Sequence, residues 1–454
     1  MNRTTIPISD RPRLLYLLIE TSSGQDRAAR MPVHLALVVD KSDSMMIRVA
    51  PPDLQERWMK LGYVRENVID GVPSLRVDVD KVSPAELRAL PRATDMVKQA
   101  LRAVVDLLGA GDRCALILFA VQAFSLVPLS SSLDREKILS AVETMDNLAL
   151  GDDTYMGRGI ALGLEELGRS TNHRVTSRMI VLTDGYTLDE ADCRVLARRA
   201  KSMGIAISTM GVGGSYNEEL IIPIADDTGG HAYGIEKLED ILPSFRHELS
   251  MVQSIVCRNL ELKLRLSQGV ELRAAHRVQP AISHLGDVAL VDRSASLSLG
   301  DYETNAPPAL LLELVCPPRS TAGTYRLAQL VLAYDEPTSL PGQAPRRLIR
   351  QDVVAHYVAG PIREPAHPRV MNIVERVTTF TLQTRALQDV QRGDISGATQ
   401  RLRTAATRLL DMGETDLAQT VQEQARQLAE RGQISSETAK SARYKTRRLT
   451  KTLR

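Results

Sequence analysis

Five oxygen-bearing side chains at three places in the sequence have the types and spacing of a divalent-cation site. Asp40, Ser42 and Ser44 form an Asp-x-Ser-x-Ser string, and Thr154 and Asp184 stand in two later loops. Carboxylates and small hydroxyls are hard oxygen ligands, and Mg²⁺ collects six such oxygens at about 2.1 Å. No histidine or cysteine stands among the five, so zinc and copper are disfavoured. The pattern therefore predicts one bound Mg²⁺, with Mn²⁺ or Ca²⁺ as alternatives.

Strands whose carboxyl ends meet at one edge of a sheet would bring these residues together. Val33–Val39 and Cys114–Ala120 are nearly continuous apolar runs, as expected of central parallel strands buried on both faces. Met179–Leu182 is a third such run and leads directly into the Asp184 loop. Strand and helix patterns alternate up to about residue 250, which predicts an α/β fold with a doubly wound, mainly parallel sheet of Rossmann-like type. In that architecture ligands bind beyond the carboxyl ends of the strands.

The five residues resemble the metal-ion-dependent adhesion site of the von Willebrand factor A family, with its Asp-x-Ser-x-Ser string, distant Thr and distant Asp. The resemblance covers residues 33–250. It implies that the two serines and the threonine touch the metal, while the aspartates act largely through water. It also implies that an acidic side chain of a protein partner completes the coordination sphere. We therefore expect metal-dependent protein binding.

The rest of the chain resembles bacterial members of this family, which have a flanking β domain and C-terminal helices. Such proteins often work beside ATPases, kinases or phosphatases. The resemblance thus implies an adaptor or regulatory component of a cytosolic complex, with partners of those classes.

This chain departs from the family pattern at three positions. Asp43 stands where a glycine is common, and Asp152 and Asp153 replace a Gly-Gly pair before the threonine. As accessory residues these carboxylates could strengthen cation binding, favour Ca²⁺ or Mn²⁺, or repel an acidic ligand. One alternative is a degenerate site whose Asp and Ser only cap loops, in a metal-independent scaffold.

A metal-dependent hydrolase is the other alternative, and the sequence disfavours it. Such an enzyme needs a nucleophile or general base near its metal, and no histidine lies in the three loops. His34, His173 and His231 are scattered, and we predict that they are ordinary surface or core residues. The chain also lacks a Gly-rich phosphate loop and a nucleophile elbow. We therefore expect no catalytic residues.

The chain divides into four segments by pattern. They are an N-terminal segment (1–28) whose strand joins a β-sandwich, an α/β domain (29–252) with an insertion (46–93), the β-sandwich (253–362), and a helical module (363–454). Alternation of period two predicts sandwich strands at 260–266, 289–291, 309–315 and 325–334. Helical patterns occupy 371–387, 395–411, 415–430 and 435–449. The insertion follows the metal loop, so it could cover the metal, specify the partner or be a solvated decoration.

Composition restricts the class of protein. The 454 residues are 43% hydrophobic and 25% charged, which is ordinary for a soluble globular protein. Aromatic residues make up only 4% and the net charge is +2, so a nucleic-acid partner is not expected. The N-terminus lacks a signal-peptide pattern, and no stretch reaches the roughly 18 apolar residues of a membrane span. We expect a cytoplasmic protein whose four separate cysteines are reduced and mostly buried.

The last fifteen residues, Lys440–Arg454, contain seven cations and no acid. We interpret this tail as a solvated, fraying helix end whose cations complement the helix dipole. Two further hypotheses are phosphorylation of Thr446 or Thr450, read by a phosphopeptide-binding domain, and a weak, salt-sensitive contact with nucleic acid.

Overall fold

The computed structural model of the chain describes residues 1–23, 31–46, 48, 50, 52–69, 72–78, 81–169, 175–213, 216–286, 288–336, 346–361 and 365–450. The prediction for His173 and the part of the basic tail beyond residue 450 lie outside these residues.

The chain begins with two strands, β1 (Thr5–Pro7) and β2 (Arg13–Glu20), and continues into the α/β domain. The elements that follow are β3 (Val33–Asp40), α1 (Pro52–Lys60), β4 (Val64–Ile69), β5 (Val72–Val77), α2 (Pro84–Ala89), α3 (Ala93–Leu107), β6 (Arg113–Phe119), β7 (Ala123–Ser131), α4 (Arg135–Thr144), α5 (Met156–Gly168), β8 (Thr176–Thr183), α6 (Glu190–Ser202), β9 (Ala206–Val212), α7 (Glu218–Thr228), β10 (Ala232–Ile235) and α8 (Ile241–Gln253). Six of these strands form one sheet in the order β10-β9-β8-β3-β6-β7. All pairs are parallel except β6 with β7, which confirms the predicted mainly parallel sheet.

Central strand β3 shows why the apolar runs are continuous. Leu35 and Leu37 face a core shared with α3, α4 and α8, whereas Ala36 and Val38 face a second core shared with α5, α6 and α7. Every residue of β3 is buried. A strand covered by helices on both faces gains stability from each side chain, so it needs apolar residues at successive positions.

The insertion after the Asp40 loop has its own small structure. The antiparallel pair β4–β5 lies between α1 and α2. The only tryptophan, Trp58, is buried in a separate cluster with Ala50, Val82 and Leu90. The two ends of the insertion are held together where the hydroxyl of Thr94, in α3, donates to the Met45 carbonyl over 2.8 Å. The insertion is thus a packed subdomain beside the Asp40 loop.

The next segment contains the strands β11 (Ile255–Leu266), β12 (Glu271–Gln279), β13 (Ser283–His284), β14 (Ser294–Glu303), β15 (Ala309–Cys316), β16 (Gly323–Asp335) and β17 (Arg346–Val358). They form a five-stranded sheet, β1-β17-β16-β11-β14, and a four-stranded sheet, β13-β12-β15-β2. Both sheets contribute to one apolar core. The N-terminal strand β2 pairs with β15 along its whole length, with Leu17 opposite Leu312. The strand-like run at 14–20 therefore belongs to this sandwich, as its pattern predicts.

One predicted strand of the sandwich is wrong. Residues 289–291 form no strand, and the side chains of Leu290 and Val291 are exposed. Asp292 and Arg293 have φ angles of 49° and 60°, in the left-handed region, and they turn the chain into β14. A short apolar triplet lacks the length to distinguish a strand from a turn. The sequence patterns also missed β12, β14 and β17.

The C-terminal module consists of the four helices α9 (Pro368–Gln391), α10 (Ile395–Asp411), α11 (Thr415–Arg431) and α12 (Ser436–Arg447), as predicted. The module packs on the outer face of the four-stranded sheet. There Leu311 of β15 shares a core with Ile373 and Val377 of α9. None of the helices built from described residues is long and apolar enough to span a bilayer.

The interpretation of the basic tail as solvated is wrong for Lys440 and Arg447, whereas Lys445 and Arg448 are exposed. The Arg447 guanidinium donates to both carboxylate oxygens of Asp226 at the end of α7, over 2.8 and 2.6 Å. The Lys440 ammonium donates to the Tyr216 carbonyl over 2.6 Å. Both cations are nearly buried. Helix α12 therefore docks on the α/β domain, because the acceptors for its cations lie more than 200 positions earlier in the chain.

Thr446 and Thr450, the two predicted phosphorylation sites, are also buried in this dock. The Thr446 hydroxyl donates to the Ala442 carbonyl over 2.6 Å, and the Thr450 hydroxyl donates to the Val278 carbonyl of β12. Neither hydroxyl faces solvent, so a kinase could reach them only after α12 had left its site.

The cysteines agree with the sequence interpretation. Cys114, Cys193 and Cys316 are buried, Cys257 is partly buried, and all four are free thiols.

Candidate metal centre

The three predicted loops meet at the carboxyl edge of the six-stranded sheet. Asp40 is the last residue of β3, and Thr183 is the last residue of the neighbouring strand β8, so that Asp184 comes next. Thr154 lies just before α5. The amide of the next residue, Tyr155, donates to the carbonyl of Ala120, which follows β6, so this loop is held at the end of β6. The topology thus places the five predicted residues at one edge.

Hydrogen bonds connect four of the five residues directly. Asp40 Oδ1 accepts from the Ser42 amide over 2.9 Å and from the Ser42 hydroxyl over 2.6 Å. The Ser44 hydroxyl donates to Asp184 Oδ1 over 2.6 Å, and the two serine oxygens are 3.0 Å apart. Each serine therefore gives its proton to a carboxylate and keeps oxygen lone pairs for a cation.

Thr154 lies beside this group without a direct bond from its side chain to the other four. Its backbone carbonyl accepts from the Leu188 amide over 3.0 Å and from the Thr187 hydroxyl over 3.2 Å. A Cβ placed on Gly185 would lie 3.7 Å from the Thr154 hydroxyl, so this side chain adjoins the residue after Asp184. The Thr154 loop and the Asp184 loop are thus held together.

Three polar residues that sequence reasoning missed support the centre. Thr183 donates to Asp40 Oδ2 over 2.6 Å, which gives that carboxylate a partner on each oxygen. Asp189 Oδ1 accepts from the Gly157 amide over 3.1 Å and from the Thr187 hydroxyl over 2.5 Å. Thr183 could have been found as a hydroxyl at the end of a buried strand. Thr187 and Asp189 carry no comparable signal, because their partner Gly157 belongs to another loop.

Loss of contact with water raises the free energy of the charged form of the two carboxylates at the centre. Desolvation raises the pKa of Asp40, although bonds from Ser42 and Thr183 oppose it. Desolvation and the neighbouring charge of Asp40 raise the pKa of Asp184 to about 6, against the opposing bond from Ser44. None of the ion pairs among the described residues includes either carboxylate. A cation would supply the missing charge compensation.

The three accessory aspartates are placed differently from the five. Asp43, Asp152 and Asp153 are exposed, and the hydrogen bonds within the centre do not involve them. Among the described residues no group of three or more His, Cys, Asp and Glu side chains is arranged to hold a metal ion. The donor set here is instead two carboxylates with three hydroxyls, which suits a hard cation that retains some water.

Comparison with known proteins identifies two regions of the chain. A family model described as von Willebrand factor type A domain matches residues 91–248, and one described as Sll0103-like, C-terminal alpha-helical domain matches residues 368–452. The first match begins at residue 91, at the end of the insertion. Thr154 and Asp184 therefore lie inside it, whereas the Asp40 loop lies outside.

One relative and two solved structures illustrate the extent of the similarity. Uncharacterized protein sll0103 from Synechocystis sp. is 25% identical over 322 residues, which are 70% of this chain and 65% of that protein. This chain thus spans slightly less than two thirds of that relative. The structure of von Willebrand factor type A from Catenulispora acidiphila has a TM-score of 0.72 at 15% identity, covering 98% of this chain and 95% of its own. The ArnB paralog VWA2 from Sulfolobus acidocaldarius has a TM-score of 0.54 at 14% identity, covering 98% and 96%. At these identities the two structures share the fold.

Proposed function

Because the chain carries a von Willebrand factor type A domain, we propose that this domain binds a protein partner through one divalent cation. The residues that would hold the cation are Asp40, Ser42, Ser44, Thr154 and Asp184. Mg²⁺ is the proposed ion, with Mn²⁺ or Ca²⁺ as alternatives.

The observation that carries this proposal is the pairing of hydroxyls with two carboxylates, one buried and one partly buried, that have no cationic partner among the described residues. Ser42 and Ser44 each donate a proton to an aspartate, so their oxygens remain available as ligands. Asp40 and Asp184 have raised pKa values, mainly through burial. A bound cation would lower the cost of both charges and would present an open coordination position to an acidic side chain of the partner.

The surface around the centre supports a protein partner. Tyr186 and Leu188, in the loop after Asp184, have 59% and 65% of their surface exposed. Large apolar side chains beside a charged contact are typical of protein interfaces. We propose that the partner belongs to a larger cytoplasmic assembly with ATPase, kinase or phosphatase components, in which this chain acts as an adaptor or regulator.

We propose binding without catalysis. The centre has two carboxylates, and none of its hydrogen bonds reaches a histidine. His34 is buried, and His231 lies at the opposite edge of the sheet, at the start of β10. Phosphatase and nuclease assays with Mg²⁺ and Mn²⁺ test this statement, and turnover abolished by Ser44→Ala would overturn it.

Calorimetric titration of metal-free protein with Mg²⁺, Mn²⁺ and Ca²⁺ tests the metal centre. We expect saturable binding of one ion, lost in Ser44→Ala and in the Asp40→Ala, Ser42→Ala double variant. Ser130→Ala is the matched control, because its exposed hydroxyl bonds only to the nearby Pro128 carbonyl. Binding that survives in both centre variants would contradict the assignment.

Pull-down from the native host with and without EDTA tests the partner. A partner retained with Mg²⁺ and released by EDTA supports a metal-dependent contact, provided that Ser44→Ala also fails to retain it. Equal retention under all conditions would favour the metal-independent scaffold.

A further inference from the structure

A cavity of about 950 Å³ lies where the α/β domain, the sandwich and the helical module meet. Its walls include His231 and Tyr233 from the start of β10, Arg277 from β12, and Arg447 and Arg448 from the end of the tail. The strands β8, β9 and β10 run parallel, so the start of β10 marks the amino edge of the sheet. This cavity is therefore on the opposite edge from the Asp40 centre.

Four arginines and two carboxylates line the cavity, and two of the arginines are already paired. Arg447 is bonded to Asp226 as described above, and Arg369 donates to Glu20 Oε1 over 2.6 and 3.2 Å. These bonds occupy the two lining carboxylates, Asp226 and Glu20. The cationic charges of Arg277 and Arg448 have no such partner in the wall.

Arg277 is the unusual group. Its residue is only 7% exposed, and its buried Nε has no acceptor. Among the described residues its side chain takes part in no hydrogen bond and no ion pair. Desolvation and the nearby Arg447 charge lower the pKa of Arg277, against the opposing charges of Asp226, Glu303 and Asp227. An arginine nevertheless stays protonated in proteins, so this site holds a buried positive charge that no carboxylate contacts directly.

Arg448 approaches the same cavity from the tail. Its guanidinium lies 5.7 Å from the centroid of the Tyr233 ring, and its side chain is exposed. Tyr233, Met251 and Pro280 supply apolar wall surface. A concave site with apolar walls and a few convergent charges is the usual form of a small-molecule site, and its volume falls within the roughly 300–1,000 Å³ of such sites.

We propose that this cavity binds a small molecule bearing a phosphate group, which pairs with Arg277 and Arg448. A phosphate dianion matches two unpaired cations, and the planar guanidinium fork suits its oxygens. The ligand would contact all three parts of the chain at once and so would stabilise their arrangement. The site is independent of the proposed metal centre.

Titration of wild-type protein with inorganic phosphate, pyrophosphate and AMP, in EDTA, tests this assignment. We expect saturable binding of one equivalent of at least one probe, followed by calorimetry or ³¹P NMR. Arg277→Gln should raise the Kd at least about tenfold, because a charge-assisted contact is lost. Arg350→Gln, an exposed arginine in β17, should leave the Kd unchanged.

Two further variants make each outcome decisive. Arg448→Gln changes an exposed side chain, so it should fold normally and weaken binding several-fold even if Arg277→Gln were unstable. Ser44→Ala should bind the phosphate probe as the wild type does. A failure of the phosphate proposal can therefore be told apart from a failure of the proposed metal centre. Absence of saturable binding by all three probes would overturn the proposal. So would an unchanged Kd in folded Arg277→Gln, or equally tight binding of succinate.

Discussion

Charges of opposite sign, buried or partly buried, lie beside the two edges of the six-stranded sheet, and the positive one belongs to β12 of the neighbouring four-stranded sheet. At the carboxyl edge, Asp40 and Asp184 are carboxylates without a cationic partner among the described residues. At the amino edge, Arg277 is a guanidinium without an acceptor for its buried Nε. Both arrangements are costly unless a ligand of opposite charge binds. The same physical argument therefore supports the proposed cation at one edge and the proposed anion at the other.

The edges also differ in how the chain builds them. The carboxyl-edge centre comes from three loops within one domain. The amino-edge cavity needs the end of β2, the start of β10, strand β12 and the tail, which come from every part of the chain. A change in domain packing should therefore disturb the second site and leave the first largely intact.

The largest expected effect is the pH dependence of stability at the amino edge. His231 Nδ1 contacts Glu248 over 2.8 Å, and its Nε2 contacts Glu303 over 3.1 Å. Desolvation lowers the pKa of His231, but the charges of Glu303 and Glu248 outweigh it and raise that pKa from 6.5 to about 10. Desolvation likewise raises the pKa of Glu248, but His231 and Arg178 outweigh it and lower the pKa from 4.5 to about 2.

The sign of each contribution follows from these directions. The raised pKa of His231 stabilises the fold fully below pH 6.5, and this stabilisation is lost as the pH rises toward 10. The lowered pKa of Glu248 stabilises the fold above pH 4.5, and this stabilisation is lost as the pH falls toward 2. At roughly 1.4 kcal/mol for each pKa unit, the alkaline loss amounts to several kcal/mol.

Urea unfolding between pH 3 and pH 10 measures this dependence. In His231→Gln the free energy of unfolding should fall less steeply between pH 6.5 and pH 10 than in the wild type. His367→Gln, which changes an exposed histidine, should leave this pH dependence unchanged. If the free energy of unfolding of His231→Gln falls as steeply with rising pH as that of the wild type, the contacts of His231 with Glu248 and Glu303 do not cause the alkaline loss of stability.

The second prediction concerns the dock of α12. Arg447→Ala leaves Asp226 without its bidentate partner, and breaking a buried ion pair costs about 3 kcal/mol. Amide hydrogen exchange in α12 should therefore quicken by about a hundredfold. Lys445→Ala, an exposed cation two residues away, is the matched control and should change little. Unchanged protection of α12 in Arg447→Ala would mean that the dock is held by its apolar contacts alone.

The clustering of residues at the carboxyl edge was largely predictable from sequence, because neighbouring residues along the chain determine it. Buried parallel strands are recognisable as apolar runs in the sequence, and the residues that follow such strands lie together at the carboxyl edge of the sheet. Asp40, Ser42, Ser44 and Asp184 followed from this argument, and the Ser44–Asp184 bond connects the two loops as expected. Helix α10 was also predicted with its observed bounds, since its apolar spacing and the glycine turns on either side leave little freedom.

The contacts at the amino edge were not predictable from sequence, because they join residues that are far apart in the chain. A basic tail is solvated in most sequences, and only the fold reveals that Asp226 and the Tyr216 carbonyl lie opposite its cations. Strand β12, which carries Arg277, was missed altogether. Strand β17 was missed because its first seven residues are exposed and β16 supplies its pairing partner.

The third prediction measures the metal edge through stability. At a metal concentration of 100 times the Kd, saturation should raise the free energy of unfolding by about 2.7 kcal/mol. Ser44→Ala should lose this gain, because it removes a hydroxyl ligand, whereas Arg277→Gln should keep it. Thermal unfolding in EDTA and in excess Mg²⁺ measures the difference. An equal gain in Ser44→Ala would place the stabilising ion elsewhere.

The smallest expected effect concerns the residues that position Thr154 without belonging to the five proposed metal ligands. A methyl group on Gly157, at the start of α5, would meet Asp189 Oδ2 at 2.6 Å. That carboxylate holds the Gly157 amide and the Thr187 hydroxyl, and Thr187 holds the Thr154 loop. Gly157→Ala should therefore shift Thr154 and raise the metal Kd by about tenfold, the lower end for residues that orient metal ligands.

Gly168→Ala, at the other end of the same helix, is the matched control for this substitution. Its methyl group would meet the flexible end of Met203 at 2.9 Å, so the side chain can move aside. Calorimetric metal titration should give this variant the wild-type Kd. If both alanine variants bind metal like the wild type, Thr154 does not depend on Asp189 for its position. If both bind it equally weakly, the effect comes from α5 as a whole and the Asp189 contact is not its cause.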